Sequence, residues 1–508
     1  MAPGPLSSRV ADLCAEVGNR LGGATQAQVI DVRRRLGEPL RVAIAGRLKS
    51  GKSTLVNALI GRRVAPTEVG ECTRIVTQFR YGTSDRVDVV KRNGARVSLP
   101  LDEAGMIPQR LGVARHEVAY VDVTLTSDHL RDLTVVDTPG LSSANTAVSD
   151  QARRFLFTEA PIDDDLDSDS AGALSGAEAI IYVFTQSVRE DDVQALEAFR
   201  SVSARLSSNP INSLGLFNKV DKLAGGGQDP WPIVAPLAGD QSKVLRRVVS
   251  DVVPVVGLLA ETTEAGRLTA ADCEALRQLA AMPQGERTVL LASVDLFTTR
   301  ECGITRESRE RLLRLLDLYG ISFAIAQLVD KPTLATGELV RMLFQASGFP
   351  RLRQTLDHAF RWRTDAIKAG WALSSLEKIA SHAERPHDRE LLRDAIERVL
   401  QQPESHRLRL LEVAQLVTTG AVDLPDQMEG ELTRLALSND PGWILNLPQA
   451  DRDQMVRAAL DAATRWRAYA VAGASPSQSR VALVAHRGFY LLSQRIRGGS
   501  ATGQAHAR

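Results

Sequence analysis

The amino-acid sequence predicts an α/β domain, with a mostly parallel sheet flanked by helices, accompanied by an all-α helical bundle. The first observation is that short apolar runs rich in β-branched residues alternate with helical stretches between about residues 40 and 260. Such runs are typical of strands that are buried on both faces of a sheet. The second observation is that these runs disappear beyond about residue 305, where long amphipathic patterns of helical period replace them.

Helical periodicity is also present before the first predicted strand. Residues 7–38 predict helices that are interrupted at Gly22 and Gly23 and that end near Pro39. Because this segment precedes the sheet and the other helices follow it, we expect both to pack together in one bundle. The predicted divisions are 1–38 for the N-terminal helices, 39–335 for the α/β domain and 336–508 for the helical bundle.

Eight apolar runs predict the strands of the sheet. They are Val42–Ala45, Ile75–Arg80, Val87–Lys91, Val118–Thr126, Leu133–Val136, Ile180–Phe184, Leu214–Phe217 and Val252–Val256. In the C-terminal region, helices are predicted at residues 449–472 and 477–497, where prolines mark the breaks between amphipathic stretches.

The composition argues against several classes of protein. The chain of 508 residues carries 62 basic and 61 acidic side chains, whereas a nucleic-acid-binding protein usually has a strongly basic face. The four cysteines have no CxxC spacing, which indicates neither a zinc site nor a disulfide framework. The longest apolar runs are far shorter than the roughly 20 residues that span a bilayer. We therefore expect a cytoplasmic protein whose contact with a membrane, if any, is peripheral at the inner face.

A phosphate-binding loop follows the first predicted strand. Residues 46–53 match GxxxxGK[ST] between that strand and a predicted helix, which is the context this motif requires. Backbone N–H groups of such a loop, together with the helix N-terminus, face the phosphates of a nucleotide. Lys52 is predicted to contact the β- and γ-phosphates, and Ser53 is predicted to reach Mg²⁺. The other predicted nucleotide-binding residues of this segment are Gly46, Lys49, Ser50, Gly51 and Thr54.

A second motif, DTPG, begins at Asp137, directly after the predicted strand Leu133–Val136. A carboxylate at the end of a strand can hold Mg²⁺ through water, and the Gly140 N–H group can contact the γ-phosphate. Because DTPG follows the phosphate loop along the chain, the two motifs together predict a metal site made by Ser53 and Asp137.

A third motif predicts the base. Asn218, Lys219 and Asp221 form NKxD at the end of a strand, and the Asp221 carboxylate can accept bonds from the N1–H group and amine of guanine. Adenine lacks this pair of donors, so the motif favours GTP over ATP. Lys219 is predicted to pack over the base or to brace the phosphate loop, and Gly257 is predicted to begin the last base-binding loop.

The three motifs, in this order, resemble those of the translation-factor-like P-loop GTPases. Between them, residues 65–74 resemble the first switch of dynamin-family GTPases, in which a threonine followed by arginine closes over Mg²⁺ and the γ-phosphate. The resemblance implies that Thr73 has this metal-binding and catalytic role, with Thr67 as the alternative. The phosphate loop with its Lys49 is similar to that of bacterial dynamin-like proteins, and the mycobacterial isoniazid-inducible group offers the nearest resemblance.

The resemblance also carries expectations about mechanism. Leu141 follows DTPG where Ras-like enzymes carry the glutamine that orients the attacking water. Dynamin-like enzymes are similar in lacking this glutamine and are typically activated when two GTPase domains dimerise across their nucleotides. Slow basal turnover that rises with protein concentration is therefore expected. Lys49 stands where eukaryotic dynamins have a small polar residue, so it could supply the charge that a bound cation supplies there.

Four functions remain to be compared. The leading one is a GTPase whose cycle drives self-assembly through GTPase domains, as a homodimer or hetero-assembly, and membrane remodelling at anionic lipid. The alternative is a GTP-dependent assembly switch without membrane activity of its own, which the short C-terminal region favours. A ribosome-associated GTPase of the Era group would need a compact RNA-binding domain with strands, and NKxD argues against a P-loop ATPase.

Overall fold

The computed structural model describes residues 4–47, 49–66, 75–138, 177–188, 193, 212–225, 227–245, 248–357, 364–418 and 420–498. Within these residues, nine strands form one sheet in the order β4-β3-β5-β2-β6-β1-β7-β8-β9. The strands are β1 (Leu40–Gly46), β2 (Thr77–Tyr81), β3 (Arg86–Lys91), β4 (Arg96–Leu99), β5 (Val118–Leu125), β6 (Leu133–Asp137), β7 (Ala179–Phe184), β8 (Ser213–Asn218) and β9 (Val252–Val255).

The eight predicted runs coincide with β1–β3 and β5–β9, and the prediction of a mostly parallel sheet is confirmed. Parallel pairing joins β6 to β1, β1 to β7, β7 to β8, β8 to β9 and β2 to β5. Antiparallel pairing is confined to one half of the sheet, where β2 meets β6 and where β3 meets β4 and β5. The central strand β1 is buried along its whole length, which explains its apolar sequence.

The described helices divide into those that pack on the sheet and those that pack on one another. Those associated with the sheet are α3 (Lys52–Ile60), α4 (Trp231–Leu245), α5 (Gly257–Glu264), α6 (Ala270–Ala281), α7 (Gln284–Leu290), α8 (Val294–Thr299), α9 (Arg306–Asp330), α10 (Thr336–Ala346) and α11 (Phe349–Leu356). Those of the bundle are α1 (Pro5–Gly18), α2 (Gly23–Leu36), α12 (Thr364–His382), α13 (Pro386–Leu400), α14 (His406–Thr418), α15 (Asp426–Leu437), α16 (Pro441–Ile444), α17 (Arg452–Val471) and α18 (Pro476–Gly498).

The N-terminal helices complete the bundle, as the sequence predicts. Their buried apolar side chains, among them Val10 and Val29, belong to the same core as those of α12–α18. Asp365, at the start of α12, accepts hydrogen bonds from the backbone N–H groups of Leu6 at 3.0 Å and Ser7 at 2.7 Å. The first helix is therefore capped by a carboxylate that is distant in sequence, which ties α1 to the start of α12.

Helices α10 and α11 pack with the sheet. Leu339 and Leu343 lie in the core on one face of the sheet, and Phe349 and Leu352 lie in the core on the other face. The predicted boundary at residue 335 precedes these two helices.

The longest helix, α9, is the one candidate for a membrane span in the described part of the chain. By length and composition it could cross a bilayer, but 56% of its most apolar window is buried inside the fold. Its apolar side, including Leu312 and Ile321, belongs to the core beside the sheet. The apolar character of α9 is thus accounted for by packing.

Candidate functional site

The phosphate loop joins β1 to α3 at the carboxyl edge of the sheet. Gly46 and Gly51 have φ angles of +143° and +91°, values that side chains rarely tolerate. A side chain at Gly51 would also collide with the Asn218 amide nitrogen. Glycine is required at this position by both backbone conformation and close approach, which is the reason for the second glycine of the motif.

Lys52 begins α3 and turns back into its own loop. Its ammonium donates hydrogen bonds to the carbonyl oxygens of Gly46 at 3.0 Å and Arg47 at 2.8 Å. Burial lowers the pKa of Lys52 to about 8, although the nearby Asp137 carboxylate acts to raise it. The loop therefore holds the buried ammonium group of Lys52, which a bound anion would stabilise.

Ser53 and Asp137 are brought together from the phosphate loop and the end of β6. The Ser53 hydroxyl donates to Asp137 Oδ2 at 3.1 Å, whereas Asp137 Oδ1 is buried without a hydrogen-bond partner among the described residues. Burial raises the pKa of Asp137 to about 6, against the opposing effect of Lys52. An oxygen pair with an unsatisfied carboxylate oxygen fits Mg²⁺, which is commonly bound by one or two protein oxygens together with phosphates and water.

Asn218 links three segments of the site. Its amide Nδ2 donates to the Ser50 carbonyl at 2.9 Å, and its Oδ1 accepts from the backbone N–H groups of Lys219 at 2.8 Å and Gly257 at 3.0 Å. A Cβ atom at Gly257 would lie 2.8 Å from the same Oδ1. One buried side chain thus fixes the phosphate loop, the NKxD turn and the start of α5 relative to one another.

Lys219 braces the phosphate loop, one of its two predicted roles. Its ammonium donates to the Lys49 carbonyl at 2.8 Å, and both residues adopt left-handed φ angles, +59° for Lys219 and +65° for Lys49. Positive φ in non-glycine residues is typical of functional sites, where surrounding contacts hold the backbone in place.

Asp221 follows as a half-buried carboxylate near this turn. Burial raises its pKa, the Asp317 carboxylate raises it further, and Lys222 opposes both effects. Within the described residues it forms no ion pair. A hydrogen bond with its own backbone N–H group acts on the carboxylate, and no ion pair within the described residues competes with a base for its oxygens.

The structure brings together the phosphate-loop residues, Asp137 and the NKxD residues, and Thr54 lies in the first turn of α3 beside them. Thr138 anchors the DTPG turn, because its hydroxyl donates to the Ile44 carbonyl of β1 at 2.8 Å. The predicted residues Thr67, Thr73, Gly140 and Leu141 lie outside the described residues.

Sequence reasoning missed a buried clamp behind the site. Asn57 of α3 accepts from the N–H groups of Val64 at 3.0 Å and Ala65 at 2.8 Å, and its amide donates to Glu261 of α5 at 2.8 Å. Asn57 is fully buried and Glu261 nearly so. The clamp fixes the chain just before the predicted first switch, and an asparagine between apolar neighbours in a short helix was the signal for it.

Comparison with known proteins decides the family. Residues 42–219 match the model of the Dynamin family. The chain is 32% identical over 457 residues to isoniazid-induced protein IniC of Mycobacterium tuberculosis, covering 88% of each protein. The chain belongs to the dynamin family.

The comparisons also include a shorter sequence match and a solved structure. A bacterial dynamin-like protein of Nostoc punctiforme is 30% identical over 115 residues, which are 20% of this chain and 17% of that protein. A solved structure described as an oligomerised bacterial dynamin pair aligns over 97% of this chain and 74% of its own, with 12% identity and a TM-score of 0.30. The resemblance to bacterial dynamin-like GTPases that the sequence predicts is confirmed by the IniC match.

Proposed function

We propose that the chain is a GTPase that binds GTP with Mg²⁺, hydrolyses it to GDP and phosphate, and couples turnover to assembly through its GTPase domain. The observation that carries the proposal is the position of Asn218, which joins the phosphate loop to the base-recognition loops. With this link in place, Lys52 would contact the phosphates of the nucleotide and Asp221 would contact its base. A P-loop ATPase would not need the free carboxylate of Asp221.

The residues present suit a magnesium nucleotide. Ser53 and Asp137 would hold the metal, which supplies charge neutralisation at the β- and γ-phosphates. Lys52 would exchange its two loop carbonyls for phosphate oxygens, so its ammonium changes partners without leaving the buried site. The backbone N–H groups at the start of α3 would contribute further donors to the phosphates. Thr73, or alternatively Thr67, would close over the metal from the first switch.

Nucleotide binding tests the proposal directly. We expect a fluorescent GDP analogue to bind the full chain, to be displaced by GTP and not by ATP, and to bind far more weakly to Lys52→Ala. Asp221→Asn should shift the preference from guanosine to xanthosine nucleotides, because an amide can donate to the oxygen that replaces the guanine amine. Displacement by ATP as readily as by GTP would contradict the proposal.

Coupling to assembly is the finer part of the proposal. We expect the specific GTPase activity to rise with protein concentration, since the resemblance to dynamin-like enzymes implies activation by dimerisation of GTPase domains. Activity that stays constant over a hundredfold range of concentration would contradict this part and leave a monomeric GTPase.

Membrane remodelling at the inner face of the cell membrane is the proposed use of this cycle. Cosedimentation with liposomes containing anionic lipid, with and without GTP, tests it, and Lys52→Ala is the matched control. If the active protein stays in the supernatant in every nucleotide state, the function is a GTP-dependent assembly switch without membrane activity of its own.

A further inference from the structure

Asp317 interrupts helix α9 beside the base-recognition loops. Its backbone has φ +52° and ψ −179°, so two helical halves meet at a kink inside Arg306–Asp330. Kinks in helices usually occur at proline or glycine, yet the residue at this break is an aspartate, and glycine would adopt its conformation at lower cost. Asp317 therefore brings a carboxylate to a position whose backbone conformation favours glycine.

Two contacts occupy the carboxylate. Asp317 Oδ1 accepts from the Leu318 N–H group at 2.7 Å, at the start of the second helical half. Asp317 Oδ2 forms an ion pair with the ammonium of Lys222, whose side chain is 56% exposed, against 23% for Asp317. Lys222 is the residue directly after Asp221, so the pair joins α9 to the NKxD turn.

The break packs against helix α5 and against the segment that follows NKxD. Thr262 of α5 donates to the Leu315 carbonyl at 2.6 Å, a carbonyl next to the break. On the other side, a Cβ atom at Gly227, in the loop after NKxD, would lie 3.0 Å from the Leu318 carbonyl. The residues on either side of Asp317 are therefore held by α5 and by the segment after NKxD.

Three charged groups act on the Asp221 carboxylate. The Asp317 carboxylate on α9 acts to raise its pKa, and the ammonium groups of Lys219 and Lys222 in its own turn act to lower it. Either ammonium could pair with Asp221, but Lys219 is bonded to the phosphate loop and Lys222 is bonded to Asp317. Both cations have partners elsewhere, and among the residues that the structure describes Asp221 has no ion-pair partner.

We propose that Asp317 is a positioning residue for guanine recognition, which holds the Lys222 ammonium away from Asp221 and so keeps the Asp221 carboxylate free for the base. The inference rests on the proposed function, because it assumes that Asp221 accepts from guanine. Without Asp317, the Lys222 ammonium would pair with the adjacent carboxylate and compete with the N1–H group and amine of guanine for the same oxygens.

A double-mutant cycle tests the inference on the full chain. Asp317→Asn keeps the size and a cap for Leu318 but loses the ion pair, and we expect the dissociation constant of a fluorescent GDP analogue to rise about tenfold. Lys222→Met in the same chain should restore affinity to within about threefold of wild type, because the competing cation is gone. Asp240→Asn is the matched control, since Asp240 pairs with Lys243 at 3.0 Å on the exposed face of α4.

A merely structural role for Asp317 predicts different results. The loss of nucleotide affinity would then persist in the double variant. It would also be independent of salt concentration, whereas salt screens the competition by an ammonium group. Asp317→Gly, which suits the backbone of the break, repeats the cycle if Asp317→Asn folds poorly. Wild-type affinity in the variants of Asp317 alone, or no recovery of affinity in the double variants, overturns the inference and leaves the proposed function standing. A wild-type chain that binds no guanine nucleotide overturns the proposed function, and the inference with it.

Discussion

Lys49 carries a positive charge that the proposed hydrolysis of GTP would use. It lies exposed at the tip of the phosphate loop, with a left-handed backbone and with its carbonyl held by the Lys219 ammonium. A cation at this place would stabilise negative charge that develops between the β- and γ-phosphates during hydrolysis. The side chain would then replace a bound monovalent cation.

Replacement of Lys49 by serine is expected to reduce kcat about tenfold to a hundredfold while changing KM little, because the charge acts in the transition state. Wild-type turnover should be the same in potassium and in a bulky organic cation, and Lys49→Ser should regain activity in potassium. Steady-state GTPase assays in the two salts measure both effects, with Lys243→Ser on the exposed face of α4 as the control. A wild-type enzyme that requires potassium would contradict this role.

Asn57 acts at the same scale through packing and hydrogen bonding. Asn57→Ala leaves the N–H groups of Val64 and Ala65 and the Glu261 carboxylate without their buried partner, so the free energy of unfolding should fall by about 2–4 kcal/mol. Denaturant unfolding measures this loss. Asn93→Ala removes a single bond in an exposed hairpin and should cost less than about 1 kcal/mol; equal losses in the two variants would contradict the clamp.

At the scale of elements, His406 lies at the contact between α14 and α18. Its Nε2 lies 3.1 Å from the Val484 carbonyl, and burial lowers the pKa of this histidine to about 4. Between pH 6.5 and about 4, His406 is therefore protonated in the unfolded chain and neutral in the folded chain. The resulting contribution to stability is present above pH 6.5 and is lost as the pH falls through this window.

The expected loss is about 2 kcal/mol in the free energy of unfolding between pH 7.5 and pH 5. Urea unfolding at the two pH values measures it. His406→Gln, whose amide can still donate to Val484, should lose most of this pH dependence, and an unchanged dependence would assign it to other groups.

The elements also show how much of the fold could be predicted from the sequence. Strands such as β1 and β7 were found because they are apolar on both faces, whereas the edge strand Arg96–Leu99 was missed because its polar residues alternate with apolar ones on an exposed border. The break at Asp317 was missed since the helical spacing of Leu312, Leu316 and Tyr319 continues across it. Residue 317 is neither glycine nor proline, so the sequence does not indicate a break there.

The same contrast holds for the site. Motifs whose residues adjoin in sequence, such as the phosphate loop and NKxD, could be predicted together with their order along the chain. The contact between Asn57 and Glu261, 204 residues apart, follows from tertiary packing, and no local pattern fixes which buried polar groups will meet. Lys222 was likewise missed as a competing cation because its ion-pair partner lies on α9.

At the scale of the whole molecule, charged residues connect the sheet to the bundle. Glu178, just before β7, is 4% exposed, and its carboxylate accepts from the Arg41 N–H group at 2.9 Å. It also interacts electrostatically with Arg35 of α2 and Lys368 of α12. Arg35 stacks over the Trp371 ring, 3.9 Å from its centroid, so the junction is both charged and packed.

Glu178→Gln is expected to lower the free energy of unfolding by about 3 kcal/mol, because buried cations lose a counter-charge. The loss should separate the melting of the sheet from that of the bundle, so we expect scanning calorimetry to show one transition for the wild-type chain and two for the variant. A single transition at the wild-type midpoint would mean that the junction does not transmit stability between the two parts. Glu16→Gln, in an exposed pair with Arg398, is the matched control.

The contact of Leu6 and Ser7 with Asp365 has a consequence for biosynthesis. The two ends of this contact are 359 and 358 residues apart, so a ribosome adding about 5–20 residues per second makes the second end roughly 20–70 s after the first. Throughout that interval the apolar face of α1 has no bundle to join, while the sheet between the two ends can already fold. Nascent chains should therefore hold their first helix exposed to chaperones until the last third of the polypeptide emerges.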